Sequence, residues 1–221
     1  MGVLKLALLI MFVFPAFAEE TVQEFSLEEI KDAGNLTGGV LIEANTLDKT
    51  PFSCLKIKNT TGQPKHTTVL VIENPPITRN MYAISGLVRY QGVKEKAYLE
   101  MWNHFSAGQY FSRTLGKAGP MKDLEGESGW RTFVLPFSYD SEKAGVPKKL
   151  VLNVVLPAEG LVYLGNLNLK QYGPGENPLA VRVNGAWWSE RTAGIFGADL
   201  SGFDLSNPAL RGVINSAPTR A

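Results

Sequence analysis

Between residues 39 and 172, apolar side chains recur at every second position in short runs, and turn-forming residues separate the runs. Alternation with period two is the pattern of strands that lay one face on a core. The runs are GVLIEAN (39–45), SCLKIKN (53–59), TTVLVIEN (67–74), MYAISGLVRYQG (81–92), KAYLEMWNHF (96–105), QYFSRTL (109–115), WRTFVLPFSY (130–139), KLVLNVVLP (149–157) and GLVYLGNLNLKQY (160–172). Between them NTTGQPK, NPPITRN, SAG, GKAGPMKDLEGESG and PAEG supply the Gly, Pro, Asn and Ser that turns require. Strand patterns in this number, without a convincing long helix, predict an all-β domain over 39–172, an antiparallel β-sandwich.

Alternation also assigns faces, because neighbouring strand residues point to opposite sides of a sheet. Tyr82, Ile84, Val88 and Tyr90 share a core face, with Ser85, Leu87, Arg89 and Gln91 opposite. In 96–105, Leu99, Met101 and Phe105 mark the core side, which leaves Tyr98, Glu100, Trp102 and His104 together on the other. In 149–157 the core side carries Leu150, Leu152, Val154 and Leu156, and the opposite face, Lys149, Val151, Asn153 and Val155, is mixed.

The ends of the chain read differently. Residues 1–18, MGVLKLALLIMFVFPAFA, combine an early Lys5, an apolar stretch, Pro15 and the small-residue end Ala16-Phe17-Ala18. That is the form of a cleaved secretory signal peptide, and its apolar stretch is shorter than the roughly 20 residues of a permanent membrane helix. Residues 19–38 form an acidic N-terminal arm in which a short helix could place Phe25, Leu27 and Ile30 on one side before Gly34. Residues 173–221 form a linker, GPGENP, and a C-terminal tail with Trp187, Trp188 and two pentapeptide-like units at 198–207, too few to stack as a solenoid. The expected location is secreted, periplasmic or at the cell surface, with no transmembrane helix after cleavage.

Composition narrows the chemistry. A formal net charge of +1 over 221 residues speaks against a nucleic-acid partner. Cys54 is the single cysteine, so no internal disulfide forms, and its place in FSCLKI predicts burial rather than reactivity. His66 and His104 form no metal-ligand spacing, so no cofactor is expected. Asp123, Glu125 and Glu127 could offer oxygens to a structural calcium, but without a binding-loop order they read as a solvated loop. No G-x-S-x-G elbow, G-x-G-x-x-G or phosphate loop occurs, and Glu100 with Glu125 is an acid–base pair by residue type alone. Catalysis is not expected.

Five stretches carry a resemblance: LKIKN from Leu55, YAISGLVRY from Tyr82, AYLEMW from Ala97, GWRTFVLPF from Gly129 and GLVYLGNLNL from Gly160. In order and spacing, 53–172 resembles the galactose-binding-domain-like jelly roll of bacterial carbohydrate-binding modules. The resemblance implies a jelly-roll sandwich and a polysaccharide or glycoconjugate partner, with the ligand across the concave face or in edge loops. The terminal arm and tail do not look like parts of such a module. A concave site selects Trp102 and Tyr98 as ring platforms, with Arg89, Glu100, Asn153 and His104 reading hydroxyls if their strands are neighbours. A loop site selects Tyr110, Phe111 or the loop 121–129. Trp130, which opens a strand after EGESG, reads as packing. The rival expectation is a structural or protein-interaction domain of the cell envelope, its mixed face closed by the terminal segments or by another envelope protein.

Overall fold

The computed structural model describes residues 20–32, 34, 36, 39–45, 51–173, 176, 178–179, 181–183 and 186–188. The leader at 1–18 and the pentapeptide-like units at 198–207 lie outside the described residues. The elements are β1 (Glu20–Phe25), α1 (Leu27–Asp32), β2 (Val40–Asn45), β3 (Pro51–Asn59), β4 (Lys65–Glu73), β5 (Met81–Phe105), β6 (Gly108–Arg113), β7 (Leu124–Ser138), α2 (Ser141–Ala144), β8 (Lys149–Leu156), β9 (Gly160–Tyr172), β10 (Val181–Val183) and β11 (Ala186–Trp188). The fold is all-β, and among the described residues these strands pair antiparallel. Among the described residues no helix is long and apolar enough to cross a membrane.

Two layers form around one long strand. β5 runs for 25 residues and belongs to both layers. Its first part, 81–91, lies between β9 and β7 in the order β2–β3–β9–β5–β7, while 98–105 lies between β8 and β6 in the order β4–β8–β5–β6. The alternation pattern predicts two strands here, 81–92 and 96–105; the structure shows one. It turns the corner through register shifts against β7 between Val88 and Ala97 and through Gly92 at φ 58, where a side chain would be strained.

The core fills the space between layers as the alternation predicts. Tyr82, Ile84, Val88 and Tyr90 are buried from one part of β5, and Leu99, Met101 and Phe105 from the other. Leu150, Leu152, Val154 and Leu156 of β8 face them, with Phe133 and Leu135 of β7 and Leu55 and Ile57 of β3 completing the packing. Asn103 is fully buried on this side and is satisfied by the Tyr82 hydroxyl, which donates to its Oδ1 at 2.7 Å. Desolvation, with a smaller contribution from neighbouring Tyr139, pushes the Tyr82 phenol far above its ordinary value, so it stays a donor. Cys54 is buried as expected, and burial raises its thiol pKa although nearby Arg89 opposes the shift.

The terminal segments are more integrated than the sequence pattern implies. Residues 20–25 are strand β1, paired with residues 167–171 of β9 just beyond the stretch that pairs with β3. A short helix forms as α1 with Leu27 and Ile30 buried in the core cluster, but Phe25, expected on the same helix, is the last residue of β1. After β9, Leu179 packs against Ala83, Val134 and Tyr172 on the outer side of the β9–β5–β7 layer. β10 and β11, which holds Trp187 and Trp188, form a separate two-stranded sheet.

Candidate functional site

The outer face of the β4–β8–β5–β6 layer is built in rungs, because direct register partners project to the same side of a sheet. Thr68, Asn153, Glu100 and Arg113 are successive partners across the four strands and form a polar rung. Val71, Val151, Trp102 and Phe111 form an apolar rung beside it. Glu73, Lys149, His104 and Gln109 form a second polar rung, in which Lys149 Nζ lies 3.0 Å from Glu73 Oε1. Beyond the Glu100 rung, Val155 of β8 pairs with Tyr98 on one side and with His66 on the other.

The first polar rung is a closed hydrogen-bond network. Glu100 is only 3% exposed. A carboxylate so far from water needs charged and dipolar partners on both oxygens. Arg113 supplies Nε and Nη2, each 2.6 Å from Oε2. Trp102 donates its indole N–H to Oε1 at 2.6 Å, and Asn153 Nδ2 donates to the same oxygen at 3.3 Å. Thr68 Oγ1 donates onward to Asn153 Oδ1 at 2.9 Å. The guanidinium of Arg113 also lies 4.0 Å from the Phe111 ring centroid and 5.2 Å from that of Tyr98.

This network determines how the aromatic side chains stand. Trp102 is half-buried and meets Phe111 edge to face at 5.2 Å. Phe111 is 51% exposed, an unusual position for a phenylalanine on a strand. Tyr110, its neighbour, turns the other way toward Phe105 and Phe137 at the end of the sandwich. The face therefore presents an apolar strip between two polar rows.

The structure brings together Trp102, Tyr98, Glu100, Asn153 and His104, and separates Arg89 from them. Arg89 lies on the first part of β5, before the corner, and its register partner is Tyr163 of β9, in the opposite layer. The expectation that it joins Trp102 is corrected: the bend in β5 sends the two outer faces in different directions. The role expected of Glu100 is corrected as well, because its oxygens are held by protein donors and hold Trp102 and Arg113 in place. Glu125 is exposed on β7, outside this network.

Arg113 is the residue that the sequence pattern missed. Its signal was present in SAG: Phe105 and Gly108 are register partners around Ser106 and Ala107, and counting outward places Glu100 opposite Arg113. Trp130, read as a packing residue, is half-buried on the outer side of the other layer, 5.1 Å from Phe52 and 6.3 Å from Tyr163 between ring centroids. Asp123 is buried near Lys96, Glu125 and Glu127 are exposed, and among the described residues no group of three His, Cys, Asp or Glu side chains could hold a metal ion.

No protein-family model and no curated protein matches the sequence. Several solved structures are similar to the chain. The CBM22-1 xylan-binding domain from Paenibacillus barcinonensis Xyn10C is 14% identical, with 72% of this chain and 99% of that one covered and a TM-score of 0.44. The module TmCBM27, described for specific mannan recognition, is 14% identical, with 71% of this chain and 99% of that one covered and a TM-score of 0.38. An exo-beta-agarase is 12% identical over 66% of this chain, at a TM-score of 0.39, and the match spans 24% of that longer chain.

Proposed function

We propose that the chain is an exported, non-catalytic carbohydrate-binding protein that takes a glycan across the outer face of the β4–β8–β5–β6 layer. The observation that carries this reading is the apolar rung of Trp102 and half-exposed Phe111 between two polar rungs. Pyranose rings have apolar C–H faces and polar rims, so a sugar site needs a flat ring surface with hydrogen-bonding groups beside it. Here Trp102 and Phe111 supply the surface, and Tyr98, Asn153, His104 and Gln109 flank it. The Glu100 network holds Trp102 before any ligand arrives, which lowers the ordering cost of binding.

The same network speaks against Glu100 as a catalytic group. A glycosidic acid or nucleophile must reach the scissile bond, and Glu100 is buried with both oxygens engaged. Export rests on the leader-like sequence of 1–18. A glycan array probed with the mature chain and with Trp102→Ala tests the proposal. Binding by the first and loss in the second, with both folded, is expected. Equal binding by the two, or no glycan bound by the folded wild type, would contradict it, the latter favouring a protein partner on this face.

A further inference from the structure

The outer side of the other layer carries a separate cleft of ≈ 530 Å³, lined by Arg89, Gln91, Glu127, Ser128, Gly129 and Trp130. Its volume lies within the range of small-ligand sites. The cleft exists because β7 is irregular here: Val88 pairs with Arg131 but Tyr90 pairs with Ser128, so Gly129 and Trp130 together oppose Arg89. A bulge of this kind re-aims the side chain it carries. Trp130 is accordingly turned across the sheet toward Phe52 and Tyr163, against which its ring rests edge to face.

Charge on this face is mainly positive. Arg89, Tyr163 and Lys56 are register partners across β5, β9 and β3, and Gln91, Leu161 and Lys58 form the adjoining row. The Arg89 guanidinium lies 5.6 Å from the Tyr163 ring centroid, and Gln91 Oε1 accepts the Tyr163 hydroxyl at 3.5 Å. Among the described residues neither Arg89 nor Lys56 forms an ion pair. The opposing charge in the cleft is Glu127, which is exposed at its margin. A guanidinium matches a planar carboxylate with two parallel N–H donors, and an indole face matches the apolar side of a sugar ring.

We propose that this cleft is a second saccharide site, selective for a carboxylate-bearing sugar, with Trp130 as the ring surface and Arg89 as the carboxylate partner. Glu127 would accept hydrogen bonds from sugar hydroxyls at the margin, and Lys56 would add to the attraction. The site is independent of the Trp102 face, since it lies on the other layer.

The test is an NMR titration of the full mature chain with tetramers of galacturonate, glucuronate, mannuronate and guluronate at millimolar concentration, and with their methyl esters. Shifts of the Trp130 indole N–H and the Arg89 side chain are expected with at least one free acid, and at least tenfold weaker binding of its ester. Arg89→Gln should weaken the acid about tenfold while leaving the melting temperature unchanged, and Trp130→Ala should abolish the shift of the Arg89 side chain. Silence toward all four acids, equal affinity for acid and ester, an unaltered affinity in Arg89→Gln, or shifts confined to Trp102 would overturn the proposal. A failure of glycan binding at Trp102 alone would not touch it.

Discussion

Trp102 and Glu100, two residues apart on β5, are joined by a 2.6 Å hydrogen bond from the indole N–H to the carboxylate. Side chains at that spacing point to the same side of a strand. The bond links the ring that contacts Phe111 to a buried charge held by Arg113. The shape of the face thus depends on an ion pair beneath it.

Removing one member of that pair should be expensive. Arg113→Met leaves Glu100 buried without its cation and should destabilise the fold by about 3 kcal/mol. Urea denaturation checks this, and a loss below about 0.5 kcal/mol would show that the carboxylate finds water instead.

Tyr82 and Asn103 make the corresponding neutral contact inside the core. Tyr82→Phe orphans Asn103 Oδ1 and should cost about 1–3 kcal/mol. The wild type has a pH signature as well. The folded phenol is raised above its unfolded value, so this contribution is fully present below about pH 10 and declines as pH rises, when only the unfolded chain ionises. Stability of Tyr82→Phe followed into the alkaline range should fall less steeply than that of the wild type.

Gly86 marks where the β9–β5–β7 layer tolerates no side chain. A Cβ there would lie 2.8 Å from the Gly165 carbonyl oxygen and 3.0 Å from both Leu167 Cδ2 and Phe133 Cε1. The nearest of these is backbone and cannot rotate away. Gly86→Ala should cost about 1–3 kcal/mol in a thermal or urea melt, and a neutral result would mean that the layer opens at this point.

Much of the sandwich is legible from alternation, since burial on one face imposes a period of two on any strand. Leu99 and Met101 separated from Tyr98 and Trp102 on that ground alone, and the structure places them on opposite faces. The corner in β5 is not legible, because a bulge adds one residue to a register without changing composition. Arg89 and Trp102 consequently looked as though they could share a face. The same blindness concealed the aim of Trp130, set by the bulge at Gly129, and the pairing of residues 20–25, whose charged sequence hides a strand held by its backbone to β9.

Phe111 gives the cleanest access to the proposed carbohydrate-binding surface. It is 51% exposed and donates no hydrogen bond, so Phe111→Ala removes ring area without exposing a buried polar group, whereas Trp102→Ala releases Glu100. The decisive measurement is affinity electrophoresis of the wild type and Phe111→Ala through gels containing the polysaccharide selected on the glycan array. The account predicts retardation of the wild type and about tenfold weaker retardation of the variant, with matching melting curves. Equal retardation of the two folded proteins would contradict it.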